Sequence, residues 1–140
     1  MIKMNWFIYA IFGMLAFSAM LIIFKQLSIM GLKPALILVF VFGFGMLLYL
    51  AHLIITKSPL NVNINVIILL GIAAFLSYIG NFFYVAAIDL APNPGFAIAI
   101  VGFQAVLVTI ASVFLFASEF SLVNVVGVVL ALIGIILIGL

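Results

Sequence analysis

Long apolar runs, broken by short polar stretches, organise the chain. Five runs stand out: about 5–27, 34–55, 66–90, 95–117 and 121–140. At ~1.5 Å of rise per residue, a helix of about 20 residues crosses the ~30 Å hydrocarbon core of a bilayer. Each run is therefore predicted to be one transmembrane helix. The punctuation fits. Pro34 opens the second run, Ser58-Pro59 marks a turn, and Asn63 or Asn65 is placed to cap the third helix. Ala91-Pro92-Asn93-Pro94-Gly95 introduces the fourth, since proline is tolerated only at a helix start. Ser118-Glu119-Phe120 is the predicted turn of a closing helical hairpin. The expected fold is all-α: a polytopic membrane helical bundle of five spans, forming one transmembrane domain over 1–140.

Composition strengthens this reading. The chain is 71% hydrophobic and 4% charged, where a soluble domain is usually about 25% charged. Too little polar surface is present to cover a water-facing globule, so the solvent is lipid. Trp6 and Tyr9 suit an interfacial anchor. Trp6 to Phe24 runs 19 residues without a charge, longer than the ~7–15 of a signal-peptide core, so the stretch is expected to be an uncleaved first span. With no cysteine and one histidine, neither a disulfide framework nor a metal cluster is readable. No cofactor is expected. No basic run points to nucleic acid, and no nucleophile–base pair points to an enzyme.

Five spans put the ends of the sequence on opposite sides. Lys3 and Lys57 then share one side, with Glu119; Lys25 and Lys33 share the other, with Asp89. Orientation follows the excess of lysine and arginine in cytoplasmic loops. Two against two leaves both a single orientation and dual insertion open.

Polar groups at membrane depth must find a partner or line a wet cavity. Ser77, Asn81 and Tyr84 recur at i, i+4 and i+7, so they share a helix face, with Tyr78 beside it. Gln104 and Ser112 lie on one face of the fourth run, with Thr109 to the side, and Ser18 and Lys25 lie on the first. These groups are expected either to line a substrate pocket or to glue helices together, the latter contributing roughly 0.6 kcal/mol each. Lys25 either snorkels to the interface or places a positive charge at a cavity mouth, with Asp89 as its ion partner. Phe42-Gly43-Phe44-Gly45 forms a small-residue notch in the second run, where a neighbour or a substrate is expected to approach. On the last run Gly127, Ala131 and Gly134 fall at i, i+4 and i+7. That face suits close contact with a fourth-run neighbour or with a second copy.

Three stretches resemble the drug/metabolite transporter superfamily, specifically one five-helix EamA-type half. They are Tyr84-Val85-Ala86-Ala87-Ile88-Asp89-Leu90-Ala91-Pro92, Leu115-Phe116-Ala117-Ser118-Glu119-Phe120-Ser121, and the glycine seam from Gly127 to Gly134. Phe17-Ser18 and Lys25 sit where the family often has Trp-Gly and then Lys. Two departures stand out: Gln104 replaces a mid-helix proline, which questions the kink there, and Ser118 replaces a glycine. The related four-helix small multidrug resistance proteins use a glutamate in their first helix for drug–proton exchange. No carboxylate occurs in the first span here, so that mechanism is not expected.

The resemblance implies an integral, multi-pass transporter in the cell membrane. Its substrate would be a small polar organic metabolite, anionic or zwitterionic forms included, or a drug-like molecule. Ser77, Tyr78, Asn81, Tyr84, Gln104 and Lys25 are the candidate binding residues. Transporters of the superfamily usually carry two inverted halves. One half is expected to pair as a homodimer, or with a similar small membrane chain, through Gly127, Ala131 and Gly134. The other reading is a non-transporting subunit that packs in a larger membrane complex.

Overall fold

The computed structural model describes residues 6–59, 62–117 and 121–139. Its elements in chain order are α1 (Trp6–Ile29), α2 (Pro34–Thr56), α3 (Ile64–Leu90), α4 (Pro94–Gly102), α5 (Gln104–Phe116) and α6 (Leu122–Gly139). Among the described residues the fold is all-α. Four stretches are long and apolar enough to cross a membrane: Phe7–Ile29, Pro34–Thr56, Ile64–Leu90 and Pro94–Phe116. Leu122–Ile138 is a fifth, shorter apolar helix. The 18 residues of α6 come to ~27 Å, close to the thickness of the hydrocarbon core. Large apolar side chains such as Tyr49, Ile55, Phe114 and Leu122 are mostly exposed, which suits a lipid surround and no aqueous one.

Local chemistry sets the helix ends. Asn63 caps α3: its Oδ1 accepts from Val66 N at 3.0 Å. Asn93 caps α4, accepting from Gly95 N at 2.9 Å, with Pro94 in the first turn. A Cβ on Gly95 would sit 3.1 Å from that Asn93 oxygen, so the glycine leaves room for the cap. Three helices end on left-handed residues, which turn the chain so that its N–H groups reach back to orphan carbonyls. They are Gly31 (φ 87°), Lys57 (φ 49°) and Ala117 (φ 50°). Only glycine adopts this conformation without a Cβ penalty, which amounts to about 1–2 kcal/mol for other residues. Ala117→Gly and Lys57→Gly are therefore expected each to stabilise the protein by about 1 kcal/mol in detergent unfolding titrations; destabilisation by both would show that the left-handed turns carry no strain.

The fourth run is not one uninterrupted α-helix. It breaks at Phe103, between α4 and α5, one residue before Gln104. The Phe103 N–H bonds Ile100 O at 3.2 Å, and Phe103 O accepts from Val106 N at 2.9 Å. These are tight i→i+3 bonds, so a single 3₁₀-like turn replaces the α pattern without proline. The predicted turn at Ser118-Glu119-Phe120, including the structural role of Glu119, lies outside the described residues.

The helices group into two compact units, Met1–Leu90 and Ala91–Leu140. In the first, α3 packs against both α1 and α2. Its buried side chains are Leu21 and Phe24 on α1, Ile37 and Leu38 on α2, and Val85 and Ile88 on α3. All of them lie where the α1 C-terminus, the α2 N-terminus and the α3 C-terminus meet. In the second unit α6 packs against α4, and Ala97 and Val106 are buried.

Candidate functional site

The first unit holds a cavity of about 400 Å³ between α2 and α3, open on one side, with Val39, Phe42 and Tyr78 on its walls each half or more exposed. From α2 it is lined by Ala35, Leu38, Val39 and Phe42; from α3 by Ala74, Ser77, Tyr78 and Phe82. Its position follows from the packing. Ile37, Leu38, Val85 and Ile88 are buried at this end of the helix pair, and the small residues Ala35 and Ala74 leave space beside them. Tyr78 and Phe82, one turn apart on α3, stack with ring centroids 6.4 Å apart and planes inclined by 30°.

Two of the expected binding residues, Ser77 and Tyr78, line this cavity. Asn81 is half-buried one turn beyond Ser77. Its Nδ2 donates to Ser77 O at 2.8 Å and to Ser77 Oγ at 3.1 Å. Its amide thus holds the Ser77 hydroxyl in place and is not itself part of the cavity wall. Tyr84 is half-buried farther along α3, also outside that wall. Gln104 belongs to the second unit, where it opens α5 and is exposed.

Lys25 takes a role that neither sequence reading contained. Its Nζ donates to the main-chain carbonyls of Ile88 at 3.0 Å and Asp89 at 2.8 Å. The last carbonyls of a helix lack intrahelical partners and carry partial negative charge. The ammonium therefore caps α3 from α1, a charge-assisted bond across the helix pair. The contact with Asp89 is to its backbone oxygen.

Other polar residues are spent locally. Ser18 Oγ donates to Met14 O at 2.8 Å and Thr109 Oγ1 to Ala105 O at 2.8 Å. Each satisfies the hydroxyl within its own helix. The notch at Phe42-Gly43-Phe44-Gly45 divides: Phe42 lines the cavity, while a Cβ on Gly43 or Gly45 would meet nothing within 4 Å. Sequence reasoning missed Phe82 as a cavity residue, whereas Phe42 belonged to the notch read as open to a neighbour or a substrate. The aromatic pair at i and i+4, Tyr78 and Phe82, was the available signal.

In the second unit the small-residue face of α6 turns toward α4 and α5. Gly127 lines a groove of about 290 Å³ with Thr109 and Asn124. Ala131 and Gly134 line another of about 320 Å³ with Ala99, Gly102 and Phe103. A Cβ at Gly127 or Gly134 would meet no atom within 4 Å, so the seam is left unfilled by its own unit.

The family model described as the EamA-like transporter family matches residues 4–140. No curated protein and no solved structure matches the chain significantly.

Proposed function

This chain belongs to the EamA-like transporter family and is a membrane transporter, and we propose that it carries a small organic molecule, a metabolite or drug-like compound, across the cell membrane. The observation that carries the substrate side is the cavity of about 400 Å³ between α2 and α3, with the Ser77 and Tyr78 hydroxyls at its wall. Ligand pockets of ~300–1,000 Å³ with few polar groups on an apolar wall have this form. Asn81 positions Ser77.

Alternating access works by rocking two repeats around a midplane site. The matched residues are read as one five-helix half, and we propose that such halves pair, copy with copy or with a similar membrane chain. Pairing is proposed along α6, whose small-residue face also lines grooves toward α4 and α5 of its own unit and leaves them unfilled. A two-fold pair uses the same face twice.

Two experiments test this. The sequence contains no cysteine, so a single introduced thiol is unique. Cysteine at Ser77, Asn81 or Gln104 should react with a membrane-impermeant maleimide in sealed proteoliposomes. Full protection at all three, in a folded protein, would remove the water-accessible pathway. For pairing, Gly127→Leu with Gly134→Leu should abolish the dimer seen by cross-linking in bilayers, because each added side chain fills the groove. A double variant that stays fully dimeric would make the seam internal to its own unit.

A further inference from the structure

We propose that the cavity between α2 and α3 selects an uncharged, flat and largely apolar molecule, held against Phe42, Tyr78 and Phe82 and by one hydrogen bond from the Ser77 hydroxyl to an acceptor on the ligand. The inference rests on the transport reading for its purpose and on the cavity for its chemistry.

Charge comes first. No lining residue is ionisable apart from the Tyr78 phenol. The one lysine at membrane depth in this unit, Lys25, has its ammonium bound to the α3 carbonyls of Ile88 and Asp89, past Phe82 on that helix. An anionic substrate would enter with nothing on the wall to pair with, and a cation would meet aromatic faces but no carboxylate; burying a charge without an ionic partner is strongly unfavourable. This departs from the sequence-based expectation of a polar metabolite, anionic and zwitterionic forms included, and keeps its drug-like alternative.

Shape comes second. Tyr78 and Phe82 present near-parallel rings from α3, and Phe42 lines the same space from α2. Aromatic faces favour offset stacking with another flat π-system over an irregular aliphatic body.

The hydroxyl sets polarity. Ser18 and Thr109 each give their proton to the carbonyl one turn back in their own helix. Ser77 does not: among the described residues its Oγ takes part only as the acceptor of the Asn81 amide. The proton that remains is a donor, held in place by Asn81 and set in the cavity wall. A ligand that uses it supplies an acceptor such as a carbonyl oxygen.

The test uses one flat body with three head groups: 2-acetonaphthone, neutral with an acceptor; naphthalene, neutral without one; and 2-naphthoate, an anion. Binding is measured by equilibrium dialysis on the full chain in nanodiscs, with empty nanodiscs subtracted. The ketone should bind saturably, and naphthalene and 2-naphthoate about tenfold or more weakly by comparison. Ser77→Ala should weaken the ketone about tenfold, one net hydrogen bond, and leave naphthalene unchanged. Ala74→Trp and Ala35→Phe fill the space from opposite walls, and each should abolish binding while circular dichroism reports intact helix. Wild-type affinity in both filled variants, 2-naphthoate binding as tightly as the ketone, or no saturable ketone binding (the result if a lipid chain occupies the space) would each overturn the proposal. Failure of the transport reading looks different: ketone binding sensitive to Ala74→Trp, with the maleimide pathway closed on both sides.

Discussion

Ile88→Ala is expected to destabilise the protein by about 3 kcal/mol, more than a truncation on the lipid-facing surface. Ile88 is fully enclosed, at 0% exposure, where three helices converge. Removing a buried isoleucine to its Cβ loses its contacts and leaves a void that the packed neighbours close only in part, a loss of about 2–5 kcal/mol. Leu90, two residues along the same helix, is 85% exposed. Its truncation exchanges contact with lipid for contact with lipid and should stay within about 0.5 kcal/mol. The pair controls for helix propensity, because leucine and isoleucine differ little from alanine in that respect. Unfolding titrations in mixed micelles measure both. Equal effects at the two positions would mean that the apparent core at this end does not hold the unit together.

Lys25→Met is the second large effect, about 2 kcal/mol of lost stability. The variant keeps the length and the apolar stem and removes two charge-assisted donors to Ile88 O and Asp89 O. A hydrogen-bonded charged group contributes about 1.5–3 kcal/mol, offset in part by the cost of drawing the ammonium out of water, and carbonyls stripped of a partner add their own desolvation cost. The favourable placement of a cation at a helix C-terminus is lost as well. The expected pattern is a stability loss with binding of a neutral cavity ligand unchanged in the folded fraction. Were Lys25 instead the lure for an anionic substrate, Lys25→Met would leave stability near that of the wild type and raise KM. The two measurements separate these roles without identification of the natural substrate.

The all-helical class and the apolar runs were legible in the residues: among the described residues four of the expected spans are long enough to cross a membrane and the last is a shorter apolar helix. A backbone in lipid must satisfy its own hydrogen bonds, so a long uncharged run has one solution, a helix. The caps were legible for the same local reason: Asn63 precedes its helix, and Pro94 permits only a helix start. The face shared by Ser77 and Asn81 followed from the helical period and is confirmed by their hydrogen bond.

What the residues did not reveal is which faces meet. In water, an amphipathic stripe announces the buried side of a helix. Here α1 and α4 are apolar nearly all round, and lipid tails are as apolar as a neighbouring helix. The sequence by itself therefore determined the solvent, the helices and their ends, because those depend on local backbone chemistry. Only the tertiary structure decided that Lys25 reaches a carbonyl 63 residues away, that Phe42 and Phe82 share a cavity, and that the Gly127 seam turns toward α5. In a bilayer such pairings come from side-chain packing and from single buried polar contacts between distant segments, and those become specific only when the helices are together.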